Sequence, residues 1–141
     1  MKIAIGSDHR GFATKNIIIE QIDAYDWIDV GCFNDTRCDY PEFAKLVVGA
    51  ISSKEADLGV LICGSGIGMA IAANRFAGMY AGLCWNPEIA KSAREDDNVN
   101  ILVLPADFVS SEQVIEIIHA WLQATFKGGR YQKRLDMIDT K

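Results

Sequence analysis

Apolar residues follow two rhythms along this chain. Short, nearly unbroken runs read as buried strands: KIAIG (2–6), WIDVG (27–31), DLGVLIC (57–63), MYAGLCW (79–85) and NILVLP (100–105). Longer segments between them carry helical spacing. GFATKNIIIEQIDAY (11–25) places Phe12, Ile18, Ile19 and Ile22 at helical intervals. PEFAKLVVGAISSK (41–54) opens on a proline, favoured in a first helical turn, and Phe43, Leu46, Val47 and Ala50 share one face. GMAIAANRFA (68–77) reads as a helix rising from glycines. NPEIAKSARED (86–96) has an Asn cap followed by Pro. SSEQVIEIIHAWLQATF (110–126) starts on a serine cap, and GGRYQKRLDMI (128–138) ends the series as a short helix.

Strand and helix alternate five times, and the strands are apolar on both faces. That predicts a parallel sheet covered on both sides. The expected fold is α/β: a Rossmann-like, doubly wound, five-stranded parallel sheet in three layers, one domain over residues 1–141. Ligands in such sheets sit beyond the carboxyl ends of the strands. One rim then carries the Asp8-His9 loop, Cys63 with its glycines, and the segment around Asn86.

Composition narrows the partners. Half of the 141 residues are apolar and the net charge is −5, which argues against nucleic acid and anionic membranes. No apolar run reaches the roughly 18 residues of a membrane span, and MKIAIGSDHRG has no signal-peptide pattern. The expectation is a cytoplasmic protein with no membrane partner. Its four cysteines form no CxxC pair and no Cys/His zinc spacing, so free thiols and no metal site are expected.

The densest chemistry lies in LICGSGIGMA (61–70). Three familiar glycine loops fail against it. A dinucleotide fingerprint needs G-x-G-x-x-G, and here the spacing is G-S-G-I-G. A P-loop needs GK[ST], where Met69 and Ala70 stand. A cysteine-phosphatase loop closes with Arg six residues after the nucleophile, and that residue is Met69. What remains is physical. Amides of a glycine turn opening a helix form an anion pocket, and a thiol beside it is more readily ionised. Such a thiolate serves as nucleophile or as base; spacing does not separate the two. Elsewhere, Asp8 and His9 suit proton transfer or sugar hydroxyls, or simply cap the next helix. Asp39 and Tyr40 precede a helix. Arg130 and Arg134, four apart, put two guanidiniums on one helix face. His119 reads as a packed or surface histidine. The acids at 95–97 oppose the dipole at a helix end.

DHRGF, DYP, CGSGIGMAIAANRFAG and GGRYQKR together resemble the ribose-5-phosphate isomerase B family, grouped with the galactose-6-phosphate isomerase subunits. The resemblance runs from about residue 2 to 138. It implies an aldose–ketose isomerase that interconverts D-ribose 5-phosphate and D-ribulose 5-phosphate through a cis-enediolate, in the pentose phosphate pathway. It implies no metal or organic cofactor, and a sugar phosphate as the small-molecule partner. It implies a homodimer, or a tetramer of paired dimers, with sites built across the interface and the 128–138 helix reaching to the partner. Cys63 matches the catalytic base. Ser65 and the amides of Gly64, Gly66, Ile67 and Gly68 match the loop that holds the enediolate oxygens. Asp8, His9 and Tyr40 match sugar-binding positions, and Arg130 and Arg134 match phosphate arginines of the partner subunit.

Four positions depart from the family pattern. Asp96 stands where the family has its ring-opening His, and Asp97 where that residue's Asn neighbour falls. Asp107 replaces a phosphate arginine, and Tyr131 a His. An ordinary Asp is a poor acid at neutral pH, so Asp96 is expected to draw a proton off the anomeric hydroxyl as a base. Asp107 is expected to turn away from the phosphate. The same departures keep open an isomerase of another sugar phosphate (allose 6-phosphate or galactose 6-phosphate), a non-catalytic sugar-phosphate binding module, and a cysteine hydrolase on a related fold.

Overall fold

The computed structural model describes residues 1–140. The strands are β1 (Lys2–Ser7), β2 (Asp26–Gly31), β3 (Leu58–Cys63), β4 (Ala81–Leu83) and β5 (Ile101–Pro105). The helices are α1 (Phe12–Gln21), α2 (Tyr40–Ser52), α3 (Ile67–Asn74), α4 (Pro87–Asp97), α5 (Ser111–Gln123) and α6 (Arg130–Asp139). All strand pairs are parallel, in the order β2-β1-β3-β5-β4. None of the described helices is long and apolar enough to cross a membrane.

Alternation along each strand builds two cores. Ile3 and Ile5, Leu58, Val60 and Ile62, and Leu102 and Leu104 face one side. There they meet Ile18 of α1, Ala90 of α4, and Val114, Ile117 and Trp121 of α5. Ala4, Leu61, Cys63, Ile101 and Val103 face the other side, against Ala44 and Val47 of α2 and Met69 and Ala73 of α3. The sheet is thus the middle of three layers, as the two-sided apolar strands predict. α6 lies outside these layers, packed on α4 and anchored by buried Leu135.

Several element ends differ from the expected ones. The helix expected over 11–25 stops at Gln21: Ile22 leaves helical geometry, and its carbonyl accepts the indole N–H of Trp27 at 2.6 Å. The strand expected over 79–85 shrinks to three residues at the sheet edge. Its free side is occupied by a side chain: Asn74 donates to the Ala81 carbonyl at 2.9 Å and accepts the Ala81 N–H at 2.8 Å. That use of Asn74 also accounts for α3 ending there. The last helix begins at Arg130, because Gly128 (φ 66°) and Gly129 (φ 56°) are left-handed, which a helix cannot include.

The strand order reverses its direction of growth between β1 and β3. β1 leads to its neighbour on one side, β3 to the strands on the other. Crevices at such a reversal are where open α/β sheets bind ligands. Ser7 is in register with Ile62, so the residues that follow, Asp8 and Cys63, flank this crevice.

Candidate active site

Two loops form the crevice. In the β1–α1 loop, buried Asp8 accepts the backbone N–H groups of Arg10 (2.9 Å) and Gly11 (3.1 Å) through Oδ1. The loop presses on β3: a Cβ on Gly11 would stand 2.7 Å from the Ile62 carbonyl oxygen. His9 turns the other way, and its Nδ1 accepts the Cys38 N–H at 3.3 Å. That bond places the ring hydrogen on Nε2. The segment after β2 is pinned from below by Lys15. Its fully buried ammonium donates to Asp29 Oδ1 and the Cys32 carbonyl, both at 2.6 Å, and lies 5.1 Å from the Phe33 ring centroid.

The second loop carries the thiol. Cys63 ends β3, is buried, and its Sγ accepts the Gly66 N–H at 3.2 Å. Gly66 has φ 77°, and a Cβ there would stand 2.4 Å from Leu83 Cδ1. The other two glycines admit neighbouring side chains. A Cβ on Gly64 would stand 2.2 Å from Arg10 Cζ, and one on Gly68 2.5 Å from Tyr40 Cζ. Ser65 Oγ accepts the Ile67 N–H at 3.3 Å, at the start of α3. The loop rests on the turn after β5: Ala106 donates to the Cys63 carbonyl (2.9 Å) and Asp107 to that of Gly64 (3.0 Å).

The structure therefore brings together Asp8, His9, Tyr40, Cys63, Gly64, Ser65, Gly66, Ile67 and Gly68. It does not bring Asp96, Asp97, Arg130 or Arg134 to them within one chain. α4 starts beyond the carboxyl end of β4 and runs back for eleven residues, about 16 Å. Asp96 and Asp97 thus lie at the amino end of β5. There Asp96 Oδ1 accepts the Lys127 ammonium at 2.8 Å, with Glu95 3.6 Å from the same nitrogen. The hydrogen bond to Asp96 raises the Lys127 pKa. Lys127 (5.1 Å), Arg130 (5.1 Å) and Arg134 (5.4 Å) surround the Tyr131 ring centroid. Arg130 donates to the Tyr131 oxygen at 3.2 Å, and this bond, with the Arg130 charge, lowers the phenol pKa.

Asp107 has a partner within the chain. It hydrogen-bonds the Arg10 guanidinium across Gly64, so the acid is neutralised where it stands. Arg10 at the crevice, and Lys15 buried beneath the loops, are the residues around the site that sequence reasoning missed. A concavity of about 820 Å³ lies elsewhere: α4, α6 and residues 74–84 line it, with Asp97 but not Cys63 among them. No group of three His, Cys, Asp or Glu side chains suited to a metal gathers among the described residues.

Comparison with known proteins decides the kinship. A profile of the Ribose/Galactose Isomerase family matches residues 3–138. The chain belongs to that family. Ribose-5-phosphate isomerase B of Escherichia coli is 40% identical over 139 residues, covering 97% of this chain and 93% of that one. The Clostridium thermocellum ribose-5-phosphate isomerase B structure superposes with a TM-score of 0.97 at 40% identity, over 99% of this chain and 95% of that one. The Mycoplasma genitalium enzyme, solved with bound ribulose 5-phosphate, gives 0.92 at 40% identity, over 98% and 93%. Family membership accounts for the paired loops: the β1–α1 turn and the glycine turn after β3 are two sides of one crevice.

Proposed function

We propose that this chain is an aldose–ketose isomerase interconverting D-ribose 5-phosphate and D-ribulose 5-phosphate, with Cys63 as the base. The observation that carries this is the Cys63 thiol at the sheet's reversal point, held by the Gly66 N–H, in a chain 40% identical to ribose-5-phosphate isomerase B. The Mycoplasma genitalium relative was solved with ribulose 5-phosphate bound, which supports this substrate.

The chemistry is a proton shift. The Cys63 thiolate removes the C2 proton of the open-chain aldose. The electron pair forms the C1=C2 bond, and O1 takes the negative charge. The amides of Gly64 to Gly68, with Ser65, offset that charge. A proton passes between O2 and O1, and the thiol returns its proton to C1 as C2 becomes the carbonyl. No electrons leave the substrate, so the reaction needs no redox partner. A placed base contributes about 10²- to 10⁴-fold and an oxyanion donor about 10²- to 10³-fold.

Asp96, Asp97, Arg130 and Arg134 come from a second copy in this reading, which makes the working unit a homodimer. Ile67 and Ile71 are more than half exposed on α3, beside the glycine loop, as a surface covered by that copy would be. Arg130 and Arg134 bind phosphate, Asp97 lines the sugar site, and Asp96 takes the anomeric proton when the ring opens. The test is turnover of D-ribose 5-phosphate by the purified protein with Cys63→Ala alongside. Loss of turnover in the variant supports the reading. An active variant removes the base, and an inactive parent that turns over allose 6-phosphate or galactose 6-phosphate changes the substrate.

A further inference from the structure

Arg10 sits at the mouth of the crevice, fixed from two sides. Its guanidinium lies against the Cα of Gly64, the residue after Cys63. Asp107 accepts from its Nη2, and the Asp107 N–H is itself bonded to the Gly64 carbonyl at 3.0 Å. The Arg10 side chain is nonetheless 55% exposed. One of its five donors goes to Asp107, Nε and Nη1 lie against Gly64, and about half of the side chain is open to solvent. The nearby Lys15 cannot serve an outside ligand, since its ammonium is buried on Asp29 and Cys32.

We propose that Arg10 is this chain's own anchor for the phosphate of its substrate, and that Asp107 restrains it. The identity of the ligand rests on the isomerase reading above. Before any proton moves, a sugar phosphate is charged only at its phosphate. The thiol and the glycine amides take the carbonyl end, and Arg10, lying on Gly64 and half-exposed at the mouth, is the cation this chain offers to the dianion. A guanidinium fork meets a phosphate through two parallel N–H bonds. An exposed Arg–Asp pair is weak and readily exchanged for such a partner. Asp107 cannot leave with it, because its backbone is fixed on the glycine loop, and its carboxylate repels the incoming dianion. The two halves of the ion pair therefore push affinity in opposite directions. A pair that only fastened two loops would not do this: breaking either half would do the same harm.

The experiment is calorimetric titration of the full chain with D-ribose 5-phosphate and with inorganic phosphate. Wild type, Arg10→Ala and Asp107→Asn are compared, with kcat and KM measured in parallel. Arg10→Ala is expected to weaken both ligands by about tenfold or more, the scale of a lost charge-assisted hydrogen bond, with KM rising more than kcat falls. Asp107→Asn is expected to tighten both ligands a few-fold. Equal weakening by both variants, or an unchanged Kd in Arg10→Ala, overturns the proposal. Normal turnover with the wrong signs in Kd removes the Arg10 anchor and leaves the isomerase standing. Opposite signs in Kd without turnover keep the anchor and remove the isomerase.

Discussion

Gly66 donates its backbone N–H to the thiol of Cys63 at 3.2 Å. The bond fixes the sulfur at the end of β3, over the glycine loop, where the proposed base has to stand. Gly66 can make this bond because its φ of 77° turns the amide back over the strand end. Gly66→Ala strains that geometry by about 1–2 kcal/mol and meets Leu83 Cδ1. The expected result is a kcat lowered by about ten- to a hundredfold with a stable fold, the effect of weakening one placed base. The alkylation rate of Cys63, read beside circular dichroism, checks the cause: the rate should change in the variant while the fold does not.

Two crippled halves should make one working site. If Cys63 acts with arginines from the other copy, Cys63→Ala and Arg134→Ala are each nearly inactive under limiting substrate. Random pairing of the two variants makes half the dimers mixed, and each mixed dimer has one intact site. Co-expressed variants should thus recover about a quarter of parental activity in a closed two-fold dimer. Tagged co-purification followed by assay checks it, and no recovery would mean that each chain works alone.

If Asp96 takes the anomeric proton, the Lys127–Asp96 pair bears on ring opening and not on the enediolate. The hydrogen bond that raises Lys127 keeps a positive charge 2.8 Å from the Asp96 carboxylate. Asp96→Asn should slow turnover of D-ribose 5-phosphate by about tenfold or more. It should leave deuterium exchange from solvent into C1 of ribulose 5-phosphate within a few-fold, because that ketose has no ring to open. NMR of the exchange against the turnover rate reads the split. Equal loss in both would place Asp96 in the proton shift itself.

Stability should fall in alkali for a reason that can be located. Burial pushes the Cys84 thiol from 9.0 up to about 12. The raised value in the folded state means that the unfolded chain loses this proton first. The stabilisation is complete below pH 9.0 and is lost as pH rises towards about 12, by about 1.4 kcal/mol per pH unit for one thiol. Cys38, raised to about 11 by burial and its neighbour Cys32, adds to the same slope. Urea titrations between pH 8 and 11 should show Cys84→Ala with a flatter pH dependence than the parent.

The layer architecture was legible because each strand feeds two cores, which leaves almost no polar residue in β1, β3 or β5. The candidate site was legible where its chemistry is local: Cys63 and its glycines are contiguous, and so are Asp8 and His9. The rest depended on contacts far apart in sequence. Arg10 meets Asp107 across 97 positions, and nothing near either residue announces the other. Lys15 has the letter of a solvated helix position but is fully buried, because Asp29 and the Cys32 carbonyl take its protons. MYAGLCW looks like a seven-residue strand, yet β4 keeps only three. There the Tyr80 N–H goes to the Asn100 side chain and that of Ala81 to Asn74.

The Asn74 side chain has a bearing on assembly. On the free side of β4 alternate residues present their backbone N–H and C=O outward, which in three residues means Ala81 and Leu83. Asn74 fills the place of a sixth strand at Ala81, which leaves Leu83 as the one β4 residue with outward backbone groups to offer. A second copy arriving at this edge finds no ladder to extend. At this edge any association of these chains would have to use side-chain surfaces such as Ile67 and Ile71, and the strand addition that turns open edges into fibres is obstructed there.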